Sequence, residues 1–288
     1  MRRAAVAALL LSALAGCGGA KQASGPPRLV FADSKAPLGY TEQGLVARHG
    51  NVRVVAVSYV SEGEVLPAYL VEGPARPNRP GVVLVHGSGA DRNELLPRAI
   101  ALARLGAVAL AITEPSSAYP LPQPTTITRL LSESRITQVQ DVVAVRRGAD
   151  VLATLPDVRR GRFGYLGWSA GAKTGTFVAA SDPRFVALAL LSAGADPVAA
   201  FTAQVPAANR AAVRNALGSI DPIRYLGFAR SRAVLLEDGT RDTVVPHTAL
   251  ENIVHAAPTG TSTRWFDAGH GLNDTAYLAA YRFLLKRI

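Results

Sequence analysis

Gly167-Trp168-Ser169-Ala170-Gly171 decides the fold, because this segment joins an apolar run typical of a strand to an alanine-rich run typical of a helix. A serine in such a strand-to-helix turn takes a strained backbone conformation, and the flanking glycines let strand and helix approach closely. The same pattern also suits a serine that caps a helix after a tight turn. In the strained turn the hydroxyl is exposed at the carboxyl edge of a sheet, so the segment predicts a nucleophilic serine.

Short apolar strands alternate with amphipathic helices on both sides of this segment. The predicted strands are residues 81–85, 108–112, 163–166, 186–191, 233–236 and 264–266, and the predicted helices are residues 94–105, 139–155, 170–180 and 273–285. This alternation predicts an α/β fold with a mostly parallel central sheet covered by helices on both faces. Ahead of it, two β-rich runs at 52–60 and 65–71 predict an N-terminal antiparallel hairpin.

Two insertions interrupt the alternation, at residues 113–135 and 197–230. Each follows a predicted strand at its carboxyl end, which is where open α/β sheets bind their ligands. We therefore expect both insertions to form small lids that shape the substrate pocket. The alanine-rich part of the second one, residues 207–217, predicts a helix.

The composition excludes several classes of protein. Of the 288 residues, 49% are hydrophobic and 18% are charged, which predicts one globular domain. The formal net charge of +10 would favour a nucleic-acid partner if the basic residues were clustered. They are scattered and no aromatic residues interleave with them, so we predict no nucleic-acid partner.

The N-terminus has the pattern of an export signal, since Arg2 and Arg3 precede an apolar stretch too short to span a bilayer. The signal ends in Leu14-Ala15-Gly16-Cys17, which resembles the lipobox of bacterial lipoprotein precursors, where the cysteine thiol accepts the lipid. The alternative is a free cysteine in an ordinary secretory signal. Cys17 is the only cysteine of the chain, so an intramolecular disulfide is excluded.

The resemblance to lipoprotein precursors implies three parts: a signal peptide at residues 1–16, a flexible tether at residues 17–28 and a single domain at residues 29–288. The tether is expected to be flexible because it is small, polar and proline-ended. The protein would then be exported and anchored to a bacterial cell membrane through lipid on Cys17, on the periplasmic or extracellular side.

A serine hydroxyl is a poor nucleophile unless a base takes its proton, so a histidine has to lie within reach. His270 fits best, because it lies in the glycine-flanked loop 268–271 just after the last predicted strand. His247 and His255 fall in or near a helical segment, and His49 precedes the alternating strands altogether. We therefore predict that His270 is the base.

The acid that orients this histidine is expected between nucleophile and base, in the chain order Ser, Asp or Glu, His. Asp242 is the first candidate, because it lies in the loop after the predicted strand 233–236. A carboxylate there would hold the imidazole in the correct tautomer and stabilise the imidazolium. Asp238 and Asp196 are the alternatives, although Asp238 also suits a turn before Gly239.

Two backbone amides are needed to stabilise the negative charge of an acyl-transfer intermediate, one after the nucleophile and one after the strand at 81–85. The chain there reads His86-Gly87-Ser88-Gly89. We predict an oxyanion hole formed by the amides of Ser88 and Ala170, with Gly89 as the alternative to Ser88. His86 is expected to make local hydrogen bonds rather than to titrate in the reaction.

Together these segments resemble the α/β-hydrolase superfamily, and specifically its dienelactone-hydrolase-like and acyl-peptidase-like serine esterases. Residues 86–93, 167–171, 239–246 and 268–271 occur in the order and approximate spacing of that family, over residues 81–288. The resemblance implies the α/β-hydrolase fold and hydrolysis of a small-molecule carboxylic ester through an acyl-enzyme on Ser169. It implies no metal and no organic cofactor.

Two departures from these relatives bear on the substrate. Dienelactone hydrolases use a cysteine nucleophile, whereas this chain has Ser169, which favours esterase chemistry. We also expect no propeller domain like that of the larger acyl-peptidases, since only about 50 residues precede the hydrolase-like strands. The alternatives are a peptidase, amidase or acyltransferase with the same triad, or a non-catalytic binding lipoprotein. The sequence leaves the oligomeric state open.

Overall fold

The structure is a computed structural model that describes residues 29, 31, 36–118, 127–193, 206–211, 214, 218–229 and 233–288. The predicted signal peptide, Cys17 and the tether lie outside the described residues, as do parts of both insertions. Within the described ranges, no helix combines the length and the apolar character needed to cross a membrane.

The strands of the described chain form one nine-stranded sheet in the order β1-β2-β3-β5-β4-β6-β7-β8-β9. Their bounds are β1 Thr41–His49, β2 Val52–Ser61, β3 Glu64–Glu72, β4 Arg79–Val85, β5 Val108–Ile112, β6 Val158–Trp168, β7 Phe185–Leu191, β8 Ala233–Gly239 and β9 Ser262–Phe266. The pairs β1–β2, β2–β3 and β3–β5 are antiparallel. All pairs from β5 to β9 are parallel.

Seven α-helices are described in full. They are α1 Leu96–Arg104, α2 Pro115–Ala118, α3 Ile127–Thr154, α4 Ala170–Ser181, α5 Pro222–Leu226, α6 His247–Ala256 and α7 Asp274–Leu285. Short 3-10 turns occupy Ala207–Asn209 and Gly218–Ile220. Pro222 begins α5 and Asn273 caps α7 through its side chain, which are the residue types that suit a helix start.

Buried apolar side chains form one core on each face of the sheet. On one face, strand residues pack with Val142 of α3, Phe177 of α4 and Tyr225 of α5. On the other face, they pack with Ala99 of α1 and Tyr277 of α7. The internal strand β7 is buried along its whole length, as expected for a parallel strand covered on both faces.

The structure confirms the predicted fold class: a mostly parallel sheet with helices on both faces and an antiparallel N-terminal part. The predicted hairpin at 52–60 and 65–71 is present as β2 and β3. The edge strand β1 was missed, because nearly all of its residues are exposed and its sequence lacks the alternation of a half-buried strand.

The first insertion differs from its prediction. Helix α3 begins at Ile127 rather than near residue 139, and residues 115–118 form α2, so much of the stretch 113–135 is helical. Ile127, Leu130 and Leu131 have helical spacing, but the proline-, serine- and threonine-rich residues before them led to the prediction of an insertion. Of the helix predicted at 207–217, residues 207–209 form a 3-10 turn and 210, 211 and 214 are helical, while the other positions lie outside the described residues.

Parallel pairing places the carboxyl ends of β4, β6, β7, β8 and β9 at one edge of the sheet. The loops that follow these strands therefore lie together. The predicted nucleophile, base, acid and oxyanion residues lie in these loops or directly beside them.

Candidate active site

Ser169 lies in a strained turn between β6 and α4. Its φ is +55° and its ψ is −113°, a conformation that residues other than glycine rarely adopt. The Ser169 amide donates to the carbonyl of Leu191 at 2.9 Å, and the Ser169 carbonyl accepts from the Lys173 amide at 3.0 Å. The serine is therefore held by strand β7 on one side and by helix α4 on the other.

The two glycines of the segment are needed because strand, helix and the loop after β4 meet here. A Cβ on Gly171 would overlap the carbonyl oxygen of Val85, and a Cβ on Gly167 would lie 2.5 Å from the carbonyl oxygen of Gly171. The Gly171 amide also donates to the His86 carbonyl at 3.0 Å. This contact ties the start of α4 to the loop predicted to hold the second oxyanion amide.

His270 and Asp242 lie beside the serine in a continuous series of hydrogen bonds. His270 Nε2 is 2.9 Å from Ser169 Oγ, and His270 Nδ1 is 2.8 Å from Asp242 Oδ2. The imidazole is 13% exposed, whereas the carboxylate is 1% exposed. The structure thus brings together the three residues that the sequence singles out as nucleophile, base and acid.

The turn after β8 shapes the environment of the Asp242 carboxylate. Its second oxygen, Oδ1, accepts from the amides of Val244 at 2.8 Å and Val245 at 2.9 Å. Three N–H donors therefore surround a nearly fully buried carboxylate, and both of its oxygens are hydrogen-bonded.

The charge of Asp242 fixes the tautomer of His270. An ionised carboxylate only accepts hydrogen bonds, so Nδ1 carries the proton and donates it toward Oδ2. Nε2 is then the unprotonated nitrogen and accepts from the Ser169 hydroxyl. This is the arrangement a general base needs in order to take the proton of a nucleophile.

Amides suited to an oxyanion hole lie directly after the nucleophile and in the loop after β4, which contacts the start of α4 through the His86 carbonyl. Within the described chain, the amides of Ala170, Ser88 and Gly89 have no protein acceptor. The neighbouring Gly87 amide is unavailable to a substrate, because it donates to Glu94 Oε2 at 2.7 Å. Ser88 and Gly89 therefore both remain candidates for the second donor, next to Ala170 as the first.

His86 is buried and makes local hydrogen bonds, as expected. The Glu114 amide donates to its Nε2 at 3.1 Å, so the proton lies on Nδ1, which donates to the Gly87 carbonyl at 2.7 Å. Burial lowers the pKa of His86, which keeps the ring neutral. The ring acts as a fixed link between the loops after β4 and β5.

The alternative acid Asp238 has different surroundings. It is the second-to-last residue of β8 rather than a turn residue, and its Oδ1 has no hydrogen-bond partner in the described chain. Burial, and then the nearby charge of Asp242, raise the pKa of Asp238 to about 7. No hydrogen bond joins it to His270 among the described residues. The other alternative, Asp196, lies outside the described residues.

Glu237, the preceding residue of the same strand, is buried, and its carboxyl group has no hydrogen-bond donor within the described chain. Both carboxyl oxygens lack a hydrogen-bond partner within the described chain, and Arg264 Nη1 lies 4.0 Å from Oε1. Burial raises the pKa of Glu237 to about 8, although the Arg264 charge acts in the opposite direction. The end of β8 therefore carries two carboxyl groups whose pKa values lie well above the usual range for Asp and Glu.

Two residues that contact the site, Trp168 and Ser192, were not predicted from the sequence. Trp168 Nε1 and Ser192 Oγ each donate to the backbone carbonyl of His270 at 2.8 Å. Trp168 lies inside the quoted segment, but its side-chain partner is 102 residues away. The only sequence signal for Ser192 is its place directly after a buried strand.

The other histidines considered as bases lie away from these residues. His49 ends the edge strand β1. His247 begins α6, where its ring stacks on Trp265 with 4.6 Å between centroids. Among the described residues, no cluster of three or more His, Cys, Asp or Glu side chains has an arrangement that could hold a metal ion.

Comparison with solved structures places this architecture among known folds. The structure is similar to the acetyl xylan esterase from Paenibacillus sp. R4, with a TM-score of 0.72, 18% identity, and coverage of 88% of this chain and 90% of that one. Acetyl xylan esterase 1 from Thermoanaerobacterium sp. JW/SL YS485 gives a TM-score of 0.72 at 14% identity, covering 87% and 88%.

A dienelactone hydrolase from Anabaena variabilis ATCC 29413 is also similar, with a TM-score of 0.58 and 20% identity, covering 83% of this chain and 100% of that one. No family model matches the sequence, and no curated protein matches it. At these identities the likeness concerns the fold, and the chain has the α/β-hydrolase fold.

Proposed function

We propose that this protein is a serine hydrolase that cleaves carboxylic ester bonds through an acyl-enzyme on Ser169. The observation that carries the proposal is the hydrogen-bonded series from Ser169 Oγ through His270 to Asp242, at 2.9 and 2.8 Å. It lies beside backbone amides that have no protein acceptor in the described chain.

In the first half of the reaction, Ser169 Oγ attacks the ester carbonyl carbon while His270 Nε2 takes the hydroxyl proton. The imidazolium that forms is stabilised by the buried charge of Asp242 at 2.8 Å. The tetrahedral oxyanion accepts hydrogen bonds from Ala170 and from Ser88 or Gly89. The imidazolium then gives its proton to the departing alcohol oxygen.

In the second half, a water molecule takes the place of the alcohol. His270 removes its proton, the resulting hydroxide adds to the acyl carbon, and the collapse of the intermediate returns the proton to Ser169 Oγ. The cycle needs no group beyond these side chains, the amides and water.

The names of the structural neighbours support an ester substrate over an amide. Two of them are acetyl xylan esterases, and others of the same fold are an esterase from an Arctic intertidal metagenomic library and Est1E from Butyrivibrio proteoclasticus. This chain has Ser169 as nucleophile where dienelactone hydrolases use a cysteine, which also favours an ester substrate. We therefore propose a small-molecule carboxylic ester, with short acyl esters as the first substrates to assay.

The test is hydrolysis of p-nitrophenyl esters of increasing acyl length by the purified protein. Ser169→Ala is expected to lower kcat by roughly 10⁶-fold, because the nucleophile and its base act as one unit. The matched control is Ser181→Ala at the other end of α4, whose hydroxyl has no partner in the described chain and whose loss should leave kcat unchanged. Ester turnover by Ser169→Ala at the wild-type rate would exclude the mechanism.

A fluorophosphonate probe separates this proposal from a binding protein on a hydrolase scaffold. The reagent reacts only with a serine that a base activates, so the wild-type protein should be labelled on Ser169. Comparison of p-nitrophenyl acetate with the matching anilide then separates an esterase from an amidase. A higher kcat/KM for the anilide would contradict the ester assignment while leaving the nucleophile in place.

We also propose export and lipid anchoring through Cys17, with residues 1–16 as the signal peptide and 17–28 as the tether. The support is the sequence pattern at the N-terminus. The full chain, expressed in a bacterium with labelled palmitate, is expected to incorporate label and to sediment with membranes. Cys17→Ser should lose both properties, and Ser169→Ala should retain them. Incorporation that persists in Cys17→Ser would contradict the anchor.

A further inference from the structure

The backbone carbonyl of His270 accepts two side-chain hydrogen bonds. Trp168 Nε1 donates at 2.8 Å, and Ser192 Oγ donates at 2.8 Å. The Trp168 ring also packs against the imidazole, with 5.1 Å between the ring centroids and 49° between the planes. The residue that carries the base is therefore held at its backbone as well as through its ring nitrogen.

Both donors lie at the carboxyl ends of β6 and β7, the two strands that also position the nucleophile. Trp168 is the residue before Ser169, and it lies opposite Leu191 in the parallel pairing of β6 with β7. Ser192 follows Leu191 directly, and the Leu191 carbonyl accepts the Ser169 amide. The two side chains that hold His270 are thus fixed to the same strand ends that hold the nucleophile.

Ser192 itself has an unusual backbone conformation. Its φ is +50°, and the residue is 1% exposed. A buried serine in this left-handed region is less favourable than glycine, so packing of the surrounding chain has to maintain it. Its amide donates to the Glu237 carbonyl at 2.8 Å, which fixes the backbone directly after β7 to strand β8. With the backbone fixed in this way, the hydroxyl points to His270.

We propose that Ser192 and Trp168 are positioning residues for His270, which hold its carbonyl so that the imidazole stays within hydrogen-bond distance of Ser169. This inference rests on the proposed function, because it assigns to these side chains a part in the reaction of that same site. Neither side chain takes part in proton transfer or contacts the nucleophilic oxygen.

The residues around His270 have their own backbone contacts. The Ala268 carbonyl accepts from the Arg241 amide at 3.0 Å, and the Leu272 amide donates to the Gly269 carbonyl at 3.1 Å. Removing one donor to His270 therefore leaves the loop folded and loosens mainly the residue that carries the base. A displacement of the base by a fraction of an ångström lowers the rate of proton transfer while substrate binding is little affected.

Two substitutions of Ser192 separate its hydroxyl from its backbone conformation. Ser192→Gly removes the hydroxyl and relieves the strain of the positive φ, whereas Ser192→Ala removes the hydroxyl and keeps the strain. If the hydroxyl positions His270, both variants should lose about 5- to 10-fold in kcat with KM changed less than twofold. Ser192→Gly should at the same time have the higher melting temperature of the two.

Trp168→Phe keeps an aromatic ring beside the imidazole, and it removes the N–H donor together with part of the volume of the indole. It should also lower kcat by about 5- to 10-fold at nearly constant KM. The double variant Ser192→Gly with Trp168→Phe should lose more than the product of the two single losses, because the carbonyl then has no side-chain donor. The control is Ser61→Ala, which removes a buried hydroxyl without a partner in the described chain and should leave kcat unchanged.

Hydrogen exchange gives a readout that does not depend on turnover. In mass-spectrometric exchange of the folded protein, a peptide over residues 267–273 should exchange several-fold faster in Ser192→Gly and Trp168→Phe than in wild type. The peptide over β6 should be unchanged, since loss of overall stability would accelerate exchange in both.

Each outcome decides the proposal. Full kcat in Ser192→Gly with a loss only in Ser192→Ala would show that backbone strain alone matters at this position and would overturn it. Unchanged hydrogen exchange over residues 267–273 would also overturn the proposal. Faster exchange in the variants with an unaltered kcat would do the same. An inactive, unlabelled wild type whose 267–273 peptide still responds to the variants would count against the proposed function, and the structural part of the inference would stand.

Discussion

The nucleophile and its two partners are held by different physical means. Ser169 lies at an elbow whose strand, helix and neighbouring loop approach so closely that Gly167 and Gly171 have no space for a Cβ. Asp242 and His270 lie in irregular loops after β8 and β9, where side-chain and backbone hydrogen bonds fix them. One region depends on steric contact and the other on directed bonds.

This difference predicts how each region responds to substitution. Atoms in close contact leave no room for an added methyl group, so a change at the elbow should disturb both folding and activity. A loop held by several hydrogen bonds should lose activity in steps while the fold persists, because each bond contributes modestly to stability.

Among the substitutions that compare the two regions, the largest effect is expected for Asp242→Asn. An amide at this position removes the buried charge and permits the wrong imidazole tautomer, so kcat should fall roughly 10⁴-fold while the loop stays folded. The measurement is kcat for p-nitrophenyl acetate, with the melting temperature as a check on folding.

Asp238→Asn is the matched control, four residues earlier in the chain. It should retain kcat within about threefold, because no hydrogen bond joins Asp238 to His270 in the described chain. Equal losses from the two variants would contradict the assignment of Asp242 as the orienting acid.

Gly171→Ala tests the steric region. The added methyl group would overlap the Val85 carbonyl oxygen, and the elbow would have to shift. We expect a loss of about 3 kcal/mol in the free energy of unfolding and about 100-fold in kcat/KM, measured by urea denaturation and ester hydrolysis. Gly227→Ala is the control, since its Cβ would meet only the Ala256 carbonyl oxygen at 3.5 Å. An active and stable Gly171→Ala protein would contradict the account of the elbow.

Gly239→Ala tests steric contact in the loop region. Its Cβ would lie 2.5 Å from the Ala268 carbonyl oxygen and 2.6 Å from that of Gly269, beside the base. Because this overlap would shift the loop that carries the base and leave the turn of Ser169 in place, kcat should fall only about 10-fold. Gly269→Ala is the comparison, since its Cβ would meet only the Arg241 carbonyl oxygen at 3.8 Å. A loss in Gly239→Ala as large as in Gly171→Ala would abolish the distinction between the two regions.

The smallest effect concerns Asp238 of β8, and it depends on pH. The folded-state pKa of Asp238 is raised from 3.8 to about 7, so the protein favours its protonated form. The stability that this group contributes is therefore fully present below about pH 4, and it is lost as pH rises through about 7.

Asp238→Asn keeps an oxygen acceptor and removes the ionisation. The difference in melting temperature, variant minus wild type, should accordingly be larger at pH 8 than at pH 5. The increase should be ~2–4 °C for each kcal/mol of stability that ionisation of Asp238 costs the wild type. Thermal scans of both proteins at the two pH values provide the measurement. A difference that does not change with pH would mean that the Asp238 carboxyl is not protonated in the folded protein.

Much of the fold could be predicted because it is encoded in short windows of sequence. The alternation of apolar strands with helices predicts the parallel sheet, and the segment around Ser169 predicts the turn between β6 and α4. Chain order and glycine-flanked loops single out Asp242 and His270, the two side chains that the structure brings to Ser169.

Other features depend on contacts that no local pattern records. The sequence alone does not distinguish the donor-rich surroundings of Asp242 from the donor-poor burial of Asp238, because the difference lies in which amides and neighbours surround each carboxylate. It also does not reveal that Trp168 and Ser192 meet at the carbonyl of His270, since Trp168 ends β6, Ser192 follows β7 and His270 lies in the loop after β9. Local periodicity and turn chemistry determine the elements and their order, whereas contacts between residues 100 positions apart exist only once the sheet has assembled.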